Sequence, residues 1–553
     1  MITPSANAEE SLSFWINRRL AADGTPGLSL AVTDRDGIVY TAAFGYAEIA
    51  SATAMTTEHW SETGSIGKSF TAIALLQLAE EGKIDLQAPV TEYLPWFSVR
   101  SEFEPIRLHH LLTHTAGITS AMDFAPTARI QVWGLRNAVA TNPPGTYFHY
   151  SNIGYKVLGE VLHAVTGETY GPTIQSRILD PLGLNDSVPT ITTAIRHRLA
   201  TGYSPYFDDR PWWPGQPLAS ATWLETDTAD GCLAMTAADL ATYLRMLLNR
   251  GAYGGGRVLS EASFDLLSQR AIATSEPPEE SWYGYGVMTS IVDGHRHIGH
   301  GGGMVGYFSG MIGDLDLGIG VTALVNGPGA PGLIARTALA YFRALAEGVS
   351  FEFPEVDDST FVANAADFVG EYIAVEGADA PERVWIEARE STLMLLAEGI
   401  ETRLHCDQWS DDLFYSDHES LGRFPFRFER DGDEGPVTGF VLGGSVYLAE
   451  GLPVPEAVDY PAEWDGFSGH YRSHNPWTSS LRVTRRRGRL WLSVPSEPDG
   501  LEADQPLVPL PDGSFRCGDD PRIPEWVRFD VVIEGRAQRI TISGTDFYRV
   551  NQA

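Results

Sequence analysis

Cationic side chains and cysteines are scarce in this chain of 553 residues. It has 39 Lys and Arg against 72 Asp and Glu, which gives a formal net charge of −33. A chain this acidic is unsuited to binding nucleic acid or an anionic membrane surface, so neither is predicted as a partner. The three cysteines, Cys232, Cys406 and Cys517, lie far apart and match neither a disulfide framework nor a metal site.

Long apolar runs are missing as well. No apolar run approaches the ~20 residues of a membrane span. The first ten residues lack the basic and apolar regions of a signal peptide. The sequence therefore predicts a cytoplasmic protein without a membrane segment. Hydrophobic residues are 43% of the chain, which is enough to give a core to each of the about two to four domains that this length allows.

Lysine is so rare that its placement is informative, since only Lys68, Lys83 and Lys156 occur. A buried lysine can lose its proton, whereas arginine stays charged. Lys68 follows Ser65 by three residues, and the apolar stretch 68–79 predicts a buried helix. Both side chains then lie on one face of the helix start. There the helix dipole would stabilise an alkoxide on Ser65, and Lys68 could accept the proton directly or lower the pKa of another base.

Other interpretations of this stretch remain open on the motif alone. Ser65 can be only a helix N-cap, and the spacing Ser-x-x-Lys is common by chance. A phosphate-binding P-loop is disfavoured, because that motif needs a glycine where this chain has Glu62. The interpretation therefore depends on partner motifs downstream.

Two such motifs follow. Tyr150-x-Asn152 comes after the turn-forming run Asn142-Pro143-Pro144-Gly145 and directly before an apolar helix, so a loop is expected to present a phenol and an amide. Much later, His300 precedes the glycine triplet 301–303, and strand-like segments lie on both sides. Glycines on a strand edge allow the backbone to approach a ligand closely.

In this order, Ser-x-x-Lys, Tyr-x-Asn and His-x-Gly resemble the motifs of the penicillin-recognising serine hydrolases, which share the serine β-lactamase fold with esterase and D-aminopeptidase relatives. Residues 111–117 and 282–286 are also similar to family phrases, and the resemblance covers roughly residues 10–345. The sequence departs from the family at His300, where β-lactamases and penicillin-binding proteins usually have Lys followed by Thr or Ser. Because His is mostly neutral and Gly301 has no hydroxyl, we expect weak capture of a substrate carboxylate.

The resemblance implies acyl transfer through a covalent acyl-enzyme on Ser65. Lys68 and Tyr150 are then the candidate bases and share a proton as a coupled pair. Tyr150 also returns a proton to the leaving group as a general acid. Asn152 orients Lys68 or binds a substrate carbonyl, and His300 belongs to the same catalytic set.

The oxyanion hole is expected to combine the backbone N–H groups of Ser65 and Gly303, with Gly301 and Gly302 beside them. No cofactor and no metal ligand are predicted. The spacing His295-x-His297-x-x-His300 is compatible with a metal cluster, but for His295 and His297 surface exposure is favoured over zinc.

The tail has a different texture, with short alternating strands and an internal repeat. Phe368–Tyr372 recurs as Phe467–Tyr471, and residues 426–430 are echoed at 526–530. Offsets of about 100 residues suffice for one small barrel each. We predict an α/β (α+β) β-lactamase-like catalytic domain with a helical subdomain, followed by two small antiparallel, lipocalin-like β-barrels, as in D-aminopeptidases. The predicted boundaries are 1–345 for the hydrolase domain, 346–362 for a linker, and 363–455 and 456–553 for the barrels.

The resemblance therefore implies a serine hydrolase that cleaves peptide, amide or ester bonds, including those of D-amino acids, in a small-molecule or short-peptide substrate. A carboxylesterase and a thioesterase that cyclises peptides, as in the penicillin-binding-protein type, remain alternatives. A binding protein on a hydrolase scaffold is the alternative that is not an enzyme. The sequence leaves the oligomeric state and the choice between D- and L-substrates open.

Overall fold

The structure, a computed structural model, describes residues 6–275, 280–356, 359–377, 381–407, 410–432, 435–495 and 504–550. The chain divides into two compact units. The first contains Met1–Ser204 and Leu218–Val356, and the second contains Pro205–Pro217 and Asp357–Ala553. In the part of the chain that is described, no helix is both long and apolar enough to cross a membrane.

The helices all belong to the first unit, as far as the described residues go. In chain order they are α1 (Ala6–Asp23), α2 (Gly67–Glu80), α3 (Val90–Tyr93), α4 (Leu108–Leu112), α5 (Ala128–Gly134), α6 (Asn152–Thr166), α7 (Tyr170–Ile174), α8 (Asp180–Leu182), α9 (Ala237–Leu248), α10 (Glu261–Leu267) and α11 (Pro331–Glu347). The helices from α3 to α8 lie between α2 and α9 in the chain and correspond to the predicted helical subdomain.

The first unit also contains strands of very different lengths. They are β1 (Gly27–Thr33), β2 (Ile38–Glu48), β3 (Thr53–Ala54), β4 (Ser61–Glu62), β5 (Ser187–Val188), β6 (Tyr203–Pro205), β7 (Leu218–Ser220), β8 (Ala234–Met235), β9 (Ala252–Tyr253), β10 (Gly256–Arg257), β11 (Ile272–Ala273), β12 (Ser281–Tyr283), β13 (Met288–Val292), β14 (His295–Met304), β15 (Tyr307–Asp314) and β16 (Ile319–Val325). Nine of them form one antiparallel sheet in the order β11-β12-β13-β14-β15-β16-β1-β2-β3.

The centre of this sheet is covered on both faces. Every residue of β1 and β16 is buried, which suits their near-continuous apolar sequences. One face packs on α1 and α11, through side chains such as Trp15 and Ile334. The other packs on the core that contains α2 and α9, with Phe70 stacked on Tyr243. Helix α2, which carries Lys68, is thus enclosed in the larger core, which fixes its position.

The segment that follows α11 lacks regular secondary structure but is part of the first unit. The indole of Trp15 donates to the carbonyl of Pro354 at 2.9 Å and stacks on Phe353. Val356 is buried in the same apolar cluster. The first unit therefore continues past the predicted boundary at residue 345, because the aromatic residues of this segment cover the apolar surface of α1 and α11.

The second unit contains two closed antiparallel barrels of eight strands each. The first consists of β17 (Gly370–Glu376), β18 (Arg383–Arg389), β19 (Thr392–Ala397), β20 (Ile400–Cys406), β21 (Leu413–Ser416), β22 (Phe426–Arg430), β23 (Val437–Leu442) and β24 (Ser445–Ala449). The second consists of β25 (Gly469–Arg472), β26 (Ser480–Arg486), β27 (Arg489–Ser493), β28 (Asp504–Pro509), β29 (Phe515–Cys517), β30 (Trp526–Ile533), β31 (Arg536–Ile542) and β32 (Thr545–Arg549). The predicted order of a mixed domain of helices and strands followed by two small antiparallel barrels is confirmed.

The internal repeat corresponds to equivalent contacts in the two barrels. The Tyr372 hydroxyl donates to the carbonyl of Phe368 at 2.8 Å, and the Tyr471 hydroxyl donates to the carbonyl of Phe467 at 2.7 Å. The second echoed phrase lies on β22 and β30, which are the sixth strands of their barrels. The repeated aromatic residues therefore mark the same positions in two copies of one design.

Two other segments complete the second unit. The arginine-rich hairpin between β26 and β27 turns at Arg487-Gly488, where both residues have positive φ, and the Arg487 guanidinium pairs with Glu429 of the first barrel. The tip of the β6–β7 hairpin also belongs to this unit. Its Trp213 stacks on His405 at 3.6 Å, and its Asp209 accepts from Arg482 at 3.1 Å.

Candidate active site

Ser65 lies in a buried turn that leads directly into α2. The turn spans Gly64–Ile66, and Gly64 has a φ of +54, which glycine adopts without a Cβ clash. Lys68 is in the first turn of α2, three residues after Ser65, so the two side chains share one face. The Lys68 Nζ lies 2.9 Å from the Ser65 Oγ. The nucleophile and base candidates are therefore in direct contact.

The amine of Lys68 is held from a second side. The residue has no exposed surface, and Nζ also donates to the backbone carbonyl of Asp230 at 2.7 Å. Nζ lies 4.8 Å from the centroid of the Tyr150 ring. These contacts keep the nitrogen on the Ser65 hydroxyl and beside the phenol, which is the position that a shared proton acceptor requires.

Tyr150 and Asn152 are placed by the start of α6. Ser151 is the N-cap: its Oγ accepts from the Gly154 N–H at 3.1 Å and donates to the Thr119 carbonyl at 2.8 Å. Tyr150 precedes this cap, and Asn152 is the first residue of the helix and is buried. The cap therefore anchors both candidates, one on each side, to a rigid element.

His114 binds the backbone of residues 149–151, the segment that contains Tyr150. Its Nδ1 accepts the Ser151 N–H at 3.0 Å, and its carbonyl accepts the His149 N–H at 2.8 Å. Its ring centroid lies 4.2 Å from that of Tyr150. Burial, with the nearby Lys68 charge, holds the pKa of His114 well below its usual range, so the ring stays neutral and Nδ1 remains an acceptor. His114 is a positioning residue for the Tyr150 loop.

His300 lies on β14, where it faces the Tyr150 side of the site. The two ring centroids are 6.2 Å apart. The His300 Nδ1 donates to the Gly301 carbonyl, so Nε2 is the acceptor for the Tyr283 hydroxyl at 2.9 Å. Burial, followed by the nearby Lys68 charge, lowers the pKa of His300 to about 4. This histidine is neutral at neutral pH, as the sequence analysis expected.

The glycine triplet lies against the Ser65 turn. Beyond Gly299, β14 pairs with β15 alone, and its other edge faces this turn. A Cβ on Gly302 would overlap the Thr63 carbonyl oxygen and lie 3.0 Å from the Ser65 nitrogen. A Cβ on Gly64 would lie 2.7 Å from the Gly303 nitrogen. The Ser65 and Gly303 amides are thus on neighbouring backbone segments that leave no room for side chains.

Lys156, another of the three lysines, lies in a buried polar cluster next to the site. The sequence analysis did not predict this position. Its Nζ donates to Asp123 at 3.0 Å and to Gln131 at 2.8 Å, and lies 3.7 Å from the Asp230 carboxylate. Asp230 is the residue whose carbonyl accepts from Lys68. The buried Lys156 cluster therefore supports the loop that holds the Lys68 amine.

The structure brings together the predicted candidates Ser65, Lys68, Tyr150 and His300, and it places the glycine edge beside them. The histidine spacing does not give a three-histidine cluster, because His297 and His300 are separated by three residues and so lie on opposite faces of β14. Tyr283 is a site residue that sequence reasoning missed. The only signal for it in the sequence was its position in residues 282–286, which resemble a family motif. That resemblance does not predict its contact with His300.

The pKa of His300 predicts a pH-dependent stability. Between about pH 6.5 and 4, the unfolded chain takes up a proton at this residue and the folded chain does not, so stability falls as the pH falls. We expect His300→Gln to reduce the loss of unfolding free energy over this window by about 3 kcal/mol, as measured by urea denaturation at pH 4 and pH 7. The exposed His197→Gln is the control, and an equal change in both variants would contradict the assignment.

Comparisons with known proteins show the family to which the chain belongs. A model of the Beta-lactamase family matches residues 14–345, more than half of the chain. Penicillin-binding protein 4 of Amycolatopsis lactamdurans is 30% identical over 306 residues, which are 51% of this chain and 76% of that protein. A solved D-stereospecific amidohydrolase from Streptomyces sp. is similar with a TM-score of 0.50 and 26% identity, over 63% of this chain and 100% of that chain.

The similarity to one solved structure extends beyond the first unit. The octameric penicillin-binding protein homologue from Pyrococcus abyssi has a TM-score of 0.58 and 25% identity, over 80% of this chain and 99% of that chain. Residues up to Val356 are less than two thirds of the 553, so an overlap of 80% includes part of the barrel region.

Proposed function

Since the chain belongs to the Beta-lactamase family of serine hydrolases, we propose that it cleaves amide or peptide bonds through an acyl-enzyme on Ser65. The observation that carries this proposal is the contact of 2.9 Å between the Ser65 Oγ and the Nζ of a fully buried Lys68. A serine hydroxyl is a weak nucleophile until an adjacent base takes its proton. The buried amine is the group in position to do so.

Acylation begins with attack of the Ser65 Oγ on the substrate carbonyl carbon, while Lys68 accepts the hydroxyl proton. The Ser65 and Gly303 N–H groups stabilise the oxyanion that forms on the carbonyl oxygen. Collapse of this intermediate breaks the bond to the leaving amine, and Tyr150, next to Lys68, supplies the proton that this amine needs. Lys68 passes the serine proton to Tyr150, which restores the pair. A water molecule then attacks the ester on Ser65 while the pair accepts its proton. The bond between the acyl carbon and the Ser65 Oγ breaks, the pair returns the proton to Oγ, and the free acid leaves.

The neutral His300 supports a substrate without a carboxylate next to the scissile bond. Its Nδ1 and Nε2 are both engaged, by Gly301 and Tyr283, and the ring has no charge to offer. The named relatives act on amides in one case and bind penicillin in another. The uncharged strand edge favours a substrate of the first kind, without a carboxylate. We propose a D-amino-acid amide or a short peptide amide as the substrate class.

A matched pair of peptides tests this preference. We expect a short peptide ending in D-alanine amide to have a kcat/KM at least about tenfold higher than the same peptide with a free carboxylate, because no permanent positive charge lies at position 300. His300→Lys should reduce this ratio by adding that charge. A wild-type preference for the free carboxylate would contradict the proposed role of position 300.

The bond type is tested with chromogenic substrates. The p-nitroanilides of D- and L-alanine are compared with p-nitrophenyl acetate, and Ser65→Ala is the control for background hydrolysis. We expect the amides to be turned over by the wild type and not by the variant. Ester hydrolysis without amide hydrolysis would favour a carboxylesterase. A fluorophosphonate probe that fails to label Ser65 would favour a binding protein on a hydrolase scaffold.

A further inference from the structure

A cluster of polar side chains lies on one face of the sheet at the start of β14. His295 and His297 are two residues apart on this strand, so their side chains point to the same face. Asp314, at the end of β15, is the direct cross-strand partner of His297 and shares that face. We call these three residues the β14–β15 cluster. Along the strand, His297 and His295 lie about 10 and about 17 Å from His300, at about 3.3 Å per residue.

The cluster is more buried than the sequence analysis expected. His297 is 6% exposed and Asp314 is 0% exposed, and the His295 side chain keeps 24% of its surface. The expectation that both histidines lie on the surface is therefore wrong for His297. The strand is not an edge at this point, because β13 pairs with its other side at Ser290.

Polar atoms of the cluster converge without hydrogen-bond partners. The His295 Nδ1 lies 2.9 Å and the His297 Nε2 lies 4.0 Å from the Asp314 Oδ2. Within the described residues, none of these three atoms has a hydrogen-bond partner, and the same holds for the His297 Nδ1. Buried polar atoms are nearly always satisfied, because leaving one unpaired costs about 1–3 kcal/mol. Several at one point indicate a ligand.

The Asp314 carboxylate is oriented for such a ligand. Its Oδ1 accepts the backbone N–H groups of Asp316 and Leu317, each at 2.9 Å. These bonds leave Oδ2 directed at the histidines. The direct contact of His295 with Asp314 would account for two of the unpartnered atoms, but it leaves both nitrogens of the buried His297 unexplained. A single cation between the three side chains would bind the His297 Nε2 as well, which is the ring nitrogen that faces Asp314.

We propose that His295, His297 and Asp314 bind a divalent transition-metal ion, with Zn²⁺ as the best match. Two imidazole nitrogens and one carboxylate oxygen are donors that Zn²⁺ prefers, whereas Ca²⁺ and Mg²⁺ prefer oxygen alone. In a tetrahedral site with bonds of about 2.0–2.1 Å, ligand atoms are about 3.3 Å apart. The His295 distance of 2.9 Å and the His297 distance of 4.0 Å are both measured to the Asp314 Oδ2 and lie on either side of this value, so the His297 ring has the farther to move to reach a common ion.

The fourth ligand position has a nearby candidate. Ligand atoms of His295, Asp314 and Asp316 all lie within 4.8 Å of one another. Asp316 also pairs with Arg296, at 2.6 Å, so a solvent molecule can take this position instead. The ion would join β14 to β15 and stabilise the fold. It would take no part in the chemistry at Ser65, and the inference does not depend on the proposed function.

Metal binding to the full-length protein tests the proposal. The protein is dialysed against EDTA, then against metal-free buffer, and titrated with Zn²⁺ by calorimetry. We expect one ion per chain, a rise in the midpoint of thermal unfolding, and, with Co²⁺ in place of Zn²⁺, the intense visible absorption of a tetrahedral site. His297→Gln is expected to weaken Zn²⁺ binding at least about 100-fold, since even loss of a supporting group costs 10–100-fold. His197→Gln, an exposed histidine elsewhere, should bind like the wild type.

Two controls keep the test decisive. If His297→Gln does not fold, as judged by circular dichroism, the partly exposed His295→Gln and the Co²⁺ spectrum of the wild type take its place. Absence of Zn²⁺ binding by the wild type, or binding by the His297 and His295 variants as tight as that of the wild type, would overturn the proposal. Turnover is not a readout here, so failure of the metal site and failure of the hydrolase proposal give different results.

Discussion

Replacement of Ser65 by alanine is expected to lower the turnover at least about 10³-fold, because the proposed acyl-enzyme forms on the Ser65 hydroxyl. Lys68→Arg should be nearly as damaging, although it keeps the positive charge. Arginine cannot give up its proton, so it cannot serve as the base. The arginine side chain is also longer and ends in a planar guanidinium group. It would have to fit where the Lys68 Nζ contacts both the Ser65 Oγ and the Asp230 carbonyl.

Lys83→Arg is the matched control for this change. Lys83 lies on the surface, where its side chain keeps 53% of its exposure and pairs with Glu81 at 2.7 Å. The same substitution there should leave kcat and stability unchanged. Steady-state kinetics on the best amide substrate would measure all three variants. If Lys68→Arg kept more than about a tenth of the wild-type rate, a barrier change below about 1.4 kcal/mol, Lys68 would not be the proton acceptor.

The second large effect is expected at Gly302. In Gly302→Ala, the new Cβ would overlap the Thr63 carbonyl oxygen and meet the Ser309 Oγ at 2.6 Å. These atoms cannot easily give way, since Ser309 itself donates to the Thr63 carbonyl at 2.7 Å. The strand must therefore move away from the Ser65 turn and take the Gly303 N–H with it. Loss of one oxyanion donor costs about 10²–10³ in kcat, and we expect a loss of that size.

Gly301→Ala makes the same change one residue earlier. Its Cβ would lie 3.7 Å from the Ser309 carbonyl oxygen, an ordinary contact distance. We expect its loss in kcat to be at least about tenfold smaller than that of Gly302→Ala. Fluorophosphonate labelling of Ser65 in both variants would separate a slower reaction from a disordered site. Equal losses in the two variants would show that the close approach at Gly302 does not place the oxyanion donors.

Much of the candidate site could be predicted because its key contacts are local. Ser65 and Lys68 are three residues apart in a helical turn, so their meeting follows from helix geometry alone. The Tyr150 and Asn152 pair lies at a helix start marked by Ser151, a residue type that caps helices. The glycine triplet 301–303 indicates that the backbone comes close to another group, although the sequence does not identify that group. The barrels were predictable because a repeat of about 100 residues marks two copies of one unit.

The contacts that were not predicted are those between residues far apart in the chain. Tyr283 reaches His300, the Asp230 carbonyl reaches Lys68, and Asp314 faces His297. Each depends on strand register or on a loop path, and neither leaves a local pattern in the sequence. Burial of His297 follows from the same cause, because alternation along a strand tells which residues share a face but not what covers that face. Residue types and short spacings in the sequence were enough to indicate the chemistry at Ser65, whereas the tertiary structure alone decided which distant groups orient it and where a metal ion can bind.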